Sequence, residues 1–226
     1  MKHGALSILP LAAGASLYGF AFGLLAAQVG FPWWGITLMS GAVHAGSSQI
    51  VAVEQFSGPS AVLGAALAGA ALNLRYIGIV ASLSDLLSGL SLRMKLLAIH
   101  ITGDENWALT MAERAKDPKI GPEFLIGSGI VMITVWTAST TLGAVAGATL
   151  PNLEQFGLGF AFTAAFIAMA RGLWRGVAHL APWCASFGLS IFAVTLGLPK
   201  AYAIVAAALF GLGASHLIRR KRKPLS

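Results

Sequence analysis

Four polar residues share one face of a helix if the segment around residue 44 is helical: Ser40, His44, Ser47 and Ser48, spaced i, i+4, i+7 and i+8. Gly41 and Ala45 form a small-residue stripe beside them, and Gln49 closes the polar string His44-Ala45-Gly46-Ser47-Ser48-Gln49. Serines so placed can bond between helices, and a histidine can be satisfied within a core. As a cluster they point elsewhere, because Gly46 and two following serines favour a local break whose freed backbone N–H groups can meet a carboxylate. The second constellation is Asn73-Leu74-Arg75-Tyr76, after the small-residue run 64–72. A guanidinium is always charged and forks onto carboxylates or phosphates; the alternative is an arginine snorkelling to headgroups. The third is Asp104-Glu105. Thr102-Gly103-Asp104-Glu105 fits a capping box, the threonine hydroxyl and the glutamate carboxylate each satisfying the other's backbone N–H. That accounts for Glu105 and leaves Asp104 free to receive an ammonium group or a proton. His100 lies one turn before Asp104, and Trp107 one turn after Gly103.

The elements that must hold these groups are apolar. Residues 4 to 53 contain no Asp, Glu, Lys or Arg, so the first polar string sits inside a segment of membrane-spanning length. Polar groups at that depth are functional-site candidates. The 226 residues are 57% hydrophobic and 10% charged, with mean hydropathy +0.78, which excludes a soluble or a disordered chain. The expectation is an all-α, polytopic helical bundle forming one integral-membrane domain over 1–226. Candidate spans are 8–29, 36–53, 61–82, 124–147, 156–171, 177–197 and 201–218. An eighth, 84–101, carries Arg93 and Lys95 and is read as crossing rather than re-entrant. Interrupted helices are expected among these seven or eight.

The formal charge of +7 comes largely from Arg219-Arg220-Lys221-Arg222-Lys223. Directly after an apolar segment this run reads as a cytoplasmic tail, 219–226, against anionic lipid and not as a nucleic-acid site. Working back from it, Arg171 and Arg175 face in, as do Arg114, Lys116 and Lys119; with eight spans the N-terminus with Lys2 is inside as well. Cys184 is the single cysteine, so neither an intrachain disulfide nor a multi-thiolate metal site can form. No metal and no cofactor is expected, and the absence of a Walker-type loop argues against ATP. The first apolar stretch is longer than a cleavable signal core and reads as a retained span.

Between Thr102 and Pro118 the pattern is that of an aqueous helix. Trp107, Ala108, Met111, Ala112 and Ala115 form an apolar stripe opposite Glu105, Asn106, Glu113 and Lys116. A weak internal repeat aligns 22–49 with 142–169 and pairs Gly23 with Gly143 and Ala26 with Ala146; in the eight-span count it is parallel.

The order of a glycine-rich first hairpin, Ala45-Gly46-Ser47-Ser48-Gln49, Asn73-Leu74-Arg75-Tyr76, Asp104-Glu105 before an aromatic and Ala108, and Phe162-Thr163-Ala164-Ala165-Phe166-Ile167-Ala168 resembles the AzlC family, over about residues 8 to 218. One departure is Gly103, which stands between Thr102 and the Asp-Glu pair that a threonine directly precedes in that family. Another is His44, where many relatives are aromatic or hydrophobic. The resemblance implies the large subunit of a bacterial branched-chain amino-acid exporter in the inner membrane, paired with a small hydrophobic subunit of the AzlD type. On that reading Gly46, Ser47, Ser48, Gln49, Asn73 and Arg75 bind the charged groups of an amino-acid substrate, and Phe20, Phe22 or Phe166 wall its side chain. His44, Asp104 and Glu105 are the candidates for proton coupling. Two other classes remain in view. A channel or assembly scaffold would lack saturable, gradient-coupled flux, and an intramembrane serine protease would need a general base within reach of Ser47 or Ser48.

Overall fold

The computed structural model describes residues 1–54, 61–149, 167, 176–177, 180–198 and 200–222, and the architecture below is that of these residues. They form twelve helices and no strand: α1 (Lys2–Ser7), α2 (Leu9–Gln28), α3 (Trp33–Val43), α4 (Gly46–Glu54), α5 (Ala61–Asn73), α6 (Arg75–Ser82), α7 (Ser84–Leu87), α8 (Leu92–His100), α9 (Asp104–Lys116), α10 (Pro122–Thr149), α11 (Leu180–Thr195) and α12 (Lys200–Arg222). Only α2 and α10 are long and apolar enough to cross a membrane as unbroken helices. Leu17, Ile77, Leu142, Phe187 and Leu209 are all more than 60% exposed on the outer faces. Surface apolar groups on this scale need a lipid environment.

The spine is α2 against α10, running in the same direction. Gly4 lies on Phe124, Gly19 on Ser139 and Thr140, Gly23 on Gly143 and Ala144, and Gly147 on Leu24 and Ala27. Small residues on both partners let the backbones touch, so the helices gain dispersion contact where lipid offers no hydrophobic drive. The two glycines that the repeat aligns, Gly23 and Gly143, meet across this seam, and the parallel direction agrees with the parallel form of that repeat. Met1 packs on Gly127, so the N-terminus lies at the Pro122 end of α10, together with Arg114, Lys116 and Lys119.

Two short hairpins enter this framework from opposite ends. From the Thr149 end, α3 descends, and the chain turns at His44, whose φ of 43° and ψ of 45° are left-handed. The second arm, α4, returns: Ile36 of α3 and Val53 of α4 belong to the same cluster with Phe22, Ala26 and Ala144. A side chain with a Cβ in the left-handed region costs about 1–2 kcal/mol, so surrounding contacts must hold the turn. The expected span 36–53 is therefore a re-entrant hairpin. Ser40, His44, Ser47 and Ser48 do not share one helix face, because the helix stops between the second and third of them. The break foreseen at Gly46 falls at His44 and Ala45.

From the Pro122 end, α8 rises, the chain turns at 101–103, and α9 descends. Ala98 packs with Leu125 and Ile126, Ile101 reaches Gly129, and Arg114 at the far end of α9 donates to the Ile120 carbonyl beside the start of α10. The 84–101 segment thus does not cross, as α8 is 9 residues and about 14 Å long. With neither 36–53 nor 84–101 crossing, the N-terminus and the start of α10 lie at the same end of the bundle. Segment 61–82 is interrupted near Leu74, between α5 and α6. Helices α11 and α12 pack through Ser186 and Gly211, and α12 also lies against α5. Segment 156–171, with Phe166, lies outside the described residues except for residue 167.

The start of α9 departs from the expected capping box. Thr102 Oγ1 donates to Ala98 O at 2.6 Å, back into α8, and it is Asn106 Oδ1 that accepts the Gly103 N–H at 2.6 Å. Asn106 is fully buried, with Nδ2 directed at the carbonyls of Leu125 and Ile101, and Thr110 is fully buried below it. The face of α9 turned to α10 is thus the one carrying these polar residues. Threonine back-bonding to i−4 and an asparagine cap satisfy the Thr102 hydroxyl and the Gly103 N–H, both buried.

Candidate functional site

The hairpin tips meet beside Met132 and Trp136, about 15 to 21 Å along α10 at 1.5 Å per residue, near its midpoint. A side chain on Gly103 would stand 3.4 Å from His44 Cε1. Both returning arms point their N-termini at this place. In α4 the first backbone bond is Gln49 N–H to Ala45 O, and in α9 it is Trp107 N–H to Gly103 O. The N–H groups of Gly46, Ser47 and Ser48, and of Asp104, Glu105 and Asn106, thus precede any helical acceptor. Two sets of helix-start donors, of which the Glu105 N–H is taken by its own carboxylate, and two positive dipole ends converge on one spot.

Arg75, at the start of α6, bridges the two tips. Its Nη1 donates to Ser47 Oγ at 2.8 Å, and its Nη2 lies 3.0 Å from Asp104 Oδ2. Its Nε is buried with no partner, and the guanidinium sits 5.4 Å over the Tyr76 ring. Tyr76 donates to His44 O at 3.4 Å. His44 is 6% exposed and its Nδ1 also has no partner. His44, Ser47, Tyr76 and Asp104, with Tyr18, Ala45, Gly46, Gly103, Glu105, Met132 and Trp136, surround a cavity of about 30 Å³, which Arg75 reaches through Ser47 and Asp104. That is too small for an amino acid, while the ion pair beside it stays open to solvent on one side, its two side chains 33% and 41% exposed. Asp104 and Glu105 lie on α9, which is not a span. Burial raises the carboxyl pKa of both; Arg75 opposes this at Asp104, and Glu105's own backbone N–H and then Arg75 oppose it at Glu105, where Asp104 adds to the rise.

A second cavity, of about 320 Å³, lies on the other side of α4, towards the Thr149 end. Phe31, Met39, Val43, Ala65, Ala66 and Gly69 give it an apolar wall, and Ser48, Gln49 and Asn73 its polar end. Ser48 Oγ donates to Asn73 Oδ1 at 2.6 Å. With the Ser47 to Arg75 bond, this pair forms the partition between the two cavities.

The structure brings together Gly46, Ser47, Arg75, His44, Asp104 and Glu105 around the first cavity, and Ser48 and Asn73 at the partition. Gln49 is engaged elsewhere, its Nε2 donating to Ser40 Oγ at 3.0 Å and its Oε1 accepting from Trp136 Nε1 at 2.9 Å. Thr140 Oγ1 also meets Ser40 Oγ, at 2.9 Å. This buried network fastens the first hairpin to α10. Phe22 is a core residue stacked on Trp136, and Phe20 turns partly outwards; neither lines a cavity. Sequence reasoning missed Trp136, Thr140, Asn106 and Tyr18. The available signal was the density of polar and aromatic residues inside apolar spans, at Trp136, Ser139 and Thr140 on α10 and Tyr18 on α2.

An ion pair held where two half-helices meet, inside a bundle of outwardly apolar helices, defines a membrane protein with a transport-related role. The chain belongs to the AzlC protein family, whose profile matches residues 10–150. It is also similar to a protein of Helicobacter pylori strain J99 described as an uncharacterized membrane protein, with 26% identity over 189 residues that cover 79% of this chain and 82% of that one. A counterpart in strain 26695 is 24% identical over 189 residues, with the same coverage. No solved structure matches the chain.

Proposed function

We propose that this chain is the large subunit of a secondary exporter of branched-chain and other hydrophobic amino acids, in the bacterial inner membrane with its C-terminus in the cytoplasm. The observation that carries the reading is the convergence of the α4 and α9 N-termini on Arg75, Asp104 and Glu105. A zwitterion needs donors for its carboxylate and acceptors for its ammonium within a few ångströms. Here Arg75 and the free N–H groups of 46–48 are the donors, and the two carboxylates are the acceptors. The apolar cavity beyond Ser48 and Asn73 has room for an aliphatic side chain on the way out. Proton movement through this acidic group drives export, with no enzymatic step. The basic groups at the Pro122 end make that end cytoplasmic.

Transport requires the partition to open, since the first cavity is too small for an amino acid. A small hydrophobic partner of the AzlD type covers part of the exposed apolar surface and completes the transporter. The test is efflux of a panel of radiolabelled amino acids from cells that express this chain with and without its small partner. Saturable efflux of leucine, isoleucine, valine or methionine that needs both is the expected result. Non-saturable flux, or flux equal without this chain, would refute the reading.

A further inference from the structure

We propose that Glu105 is the proton-exchanging group of the site, and that a proton and the substrate's ammonium compete for its carboxylate, so that each amino acid bound expels one proton. This rests on the amino-acid exporter reading above and gives it a coupling group and a sign. The argument begins with a count of charges. Two carboxylates line the cavity, and the permanent cation beside it among the described residues is Arg75, bound to two of the lining residues. Arg75 is committed to Asp104 at 3.0 Å and to Ser47 at 2.8 Å. Glu105 therefore has no cation of its own.

Besides Arg75, whose charge also reaches Glu105, the groups around the site supply no permanent cation. Tyr18 comes from α2, Tyr76 and Arg75 from α6, His44 from the first hairpin tip, His100 from the end of α8, and Asp104 from α9 itself. A partly buried carboxylate that shares its nearest cation with a second carboxylate takes up a proton more readily than a solvated one, which agrees with the upward direction burial gives this group. The N-terminal N–H groups of α9 pull the other way, so the proton is held loosely enough to leave when a cation arrives. His44 Nδ1, buried, unpartnered and lining the same cavity, is a further polar group waiting for a ligand.

The step balances simply. The Glu105 carboxyl loses its proton to water and becomes a carboxylate paired with the substrate's ammonium, while the substrate's carboxylate meets Arg75 and the N–H groups of 46–48. No electron or other atom moves. A site that holds either a proton or a substrate, and not both, exchanges them across the membrane, so an inward proton gradient drives outward amino-acid movement.

The experiment uses the purified complex with its small partner in weakly buffered detergent, titrated with L-leucine, with 2-hydroxy-4-methylpentanoate (no ammonium) and with 3-methylbutylamine (no carboxylate). About one proton released per leucine bound is expected, release by the amine, and none by the hydroxy acid. Leucine affinity should rise up to about tenfold per pH unit while Glu105 is protonated, and then level off. Glu105→Gln should bind more weakly, release no proton and lose the pH slope; Glu105→Asp should restore both. Leucine binding with no proton release, with proton uptake, or with release retained in Glu105→Gln overturns this inference and leaves the exporter reading standing. Failure to bind any of leucine, isoleucine, valine, methionine or phenylalanine overturns that reading, and the inference with it. The comparison of leucine with the hydroxy acid needs no variant, so a misfolded Glu105→Gln does not blunt the test.

Discussion

Replacing Gly46 by alanine tests how tightly the first hairpin tip is seated. A Cβ at residue 46 would stand 2.7 Å from Trp136 Cη2, 3.0 Å from Cζ2 and 3.2 Å from Tyr18 Cε1. Trp136 cannot swing away freely, since its Nε1 donates to Gln49 at 2.9 Å and its ring stacks on Phe22 with centroids 6.3 Å apart. Overpacking of this kind costs about 1–3 kcal/mol. If the indole shifts, its buried hydrogen bond to Gln49 is lost as well, for about 1 kcal/mol more. Gly46→Ala should thus lower stability by about 2–4 kcal/mol in equilibrium SDS titration of the purified protein. In the background of Trp136→Phe, which removes the clashing ring atoms, the alanine should cost at least ~1 kcal/mol less, a coupling that a double-mutant cycle resolves. Gly46→Ala with wild-type stability, or strict additivity with Trp136→Phe, would show that the tip is not packed on Trp136 as described.

Asn106→Leu is nearly the same size but leaves the Gly103 N–H without its acceptor, so a loss of about 1–3 kcal/mol in the same titration is expected; unchanged stability would mean the second tip is capped some other way. Topology follows from the hairpins: in a background with Cys184 replaced, cysteines at residues 89 and 119 should react with an impermeant thiol reagent from one side of the membrane and a cysteine at residue 30 from the other. Labelling of 89 and 119 from opposite sides would mean that 84–101 crosses after all.

The membrane class, the helical architecture and, of the residues around the cavity, His44, Gly46, Ser47, Asp104 and Glu105 were legible in the sequence, because charge-free runs and isolated polar strings leave marks in composition. The hairpins were not. An α3 of 11 residues and an α4 of 9 joined by a two-residue turn have the same hydropathy as one continuous span. The break was readable at Gly46 from residue types, but its seat at His44 was not, because a left-handed histidine is imposed by packing and not by propensity. The 84–101 segment misled in the other direction. Arg93 and Lys95 mark where α8 leaves the surface, yet nothing local says that the chain turns back at 101–103. The capping-box pattern at 102–105 was outcompeted by Asn106, whose amide can reach Gly103, Ile101 and Leu125 together. Gln49 looked like a ligand-binding amide because its partners, Ser40 and Trp136, lie on elements whose approach only the folded chain reveals.

Arg75 is where the account is most directly exposed. Counterflow of radiolabelled leucine into proteoliposomes that contain the chain and its small partner should be saturable for the wild type. Arg75→Lys should insert normally yet lose at least about tenfold in rate, because an ammonium cannot meet Ser47, Asp104 and a substrate carboxylate in one planar fork. Equal counterflow in wild type and Arg75→Lys would make Arg75 a headgroup anchor and contradict a substrate site between the two hairpin tips.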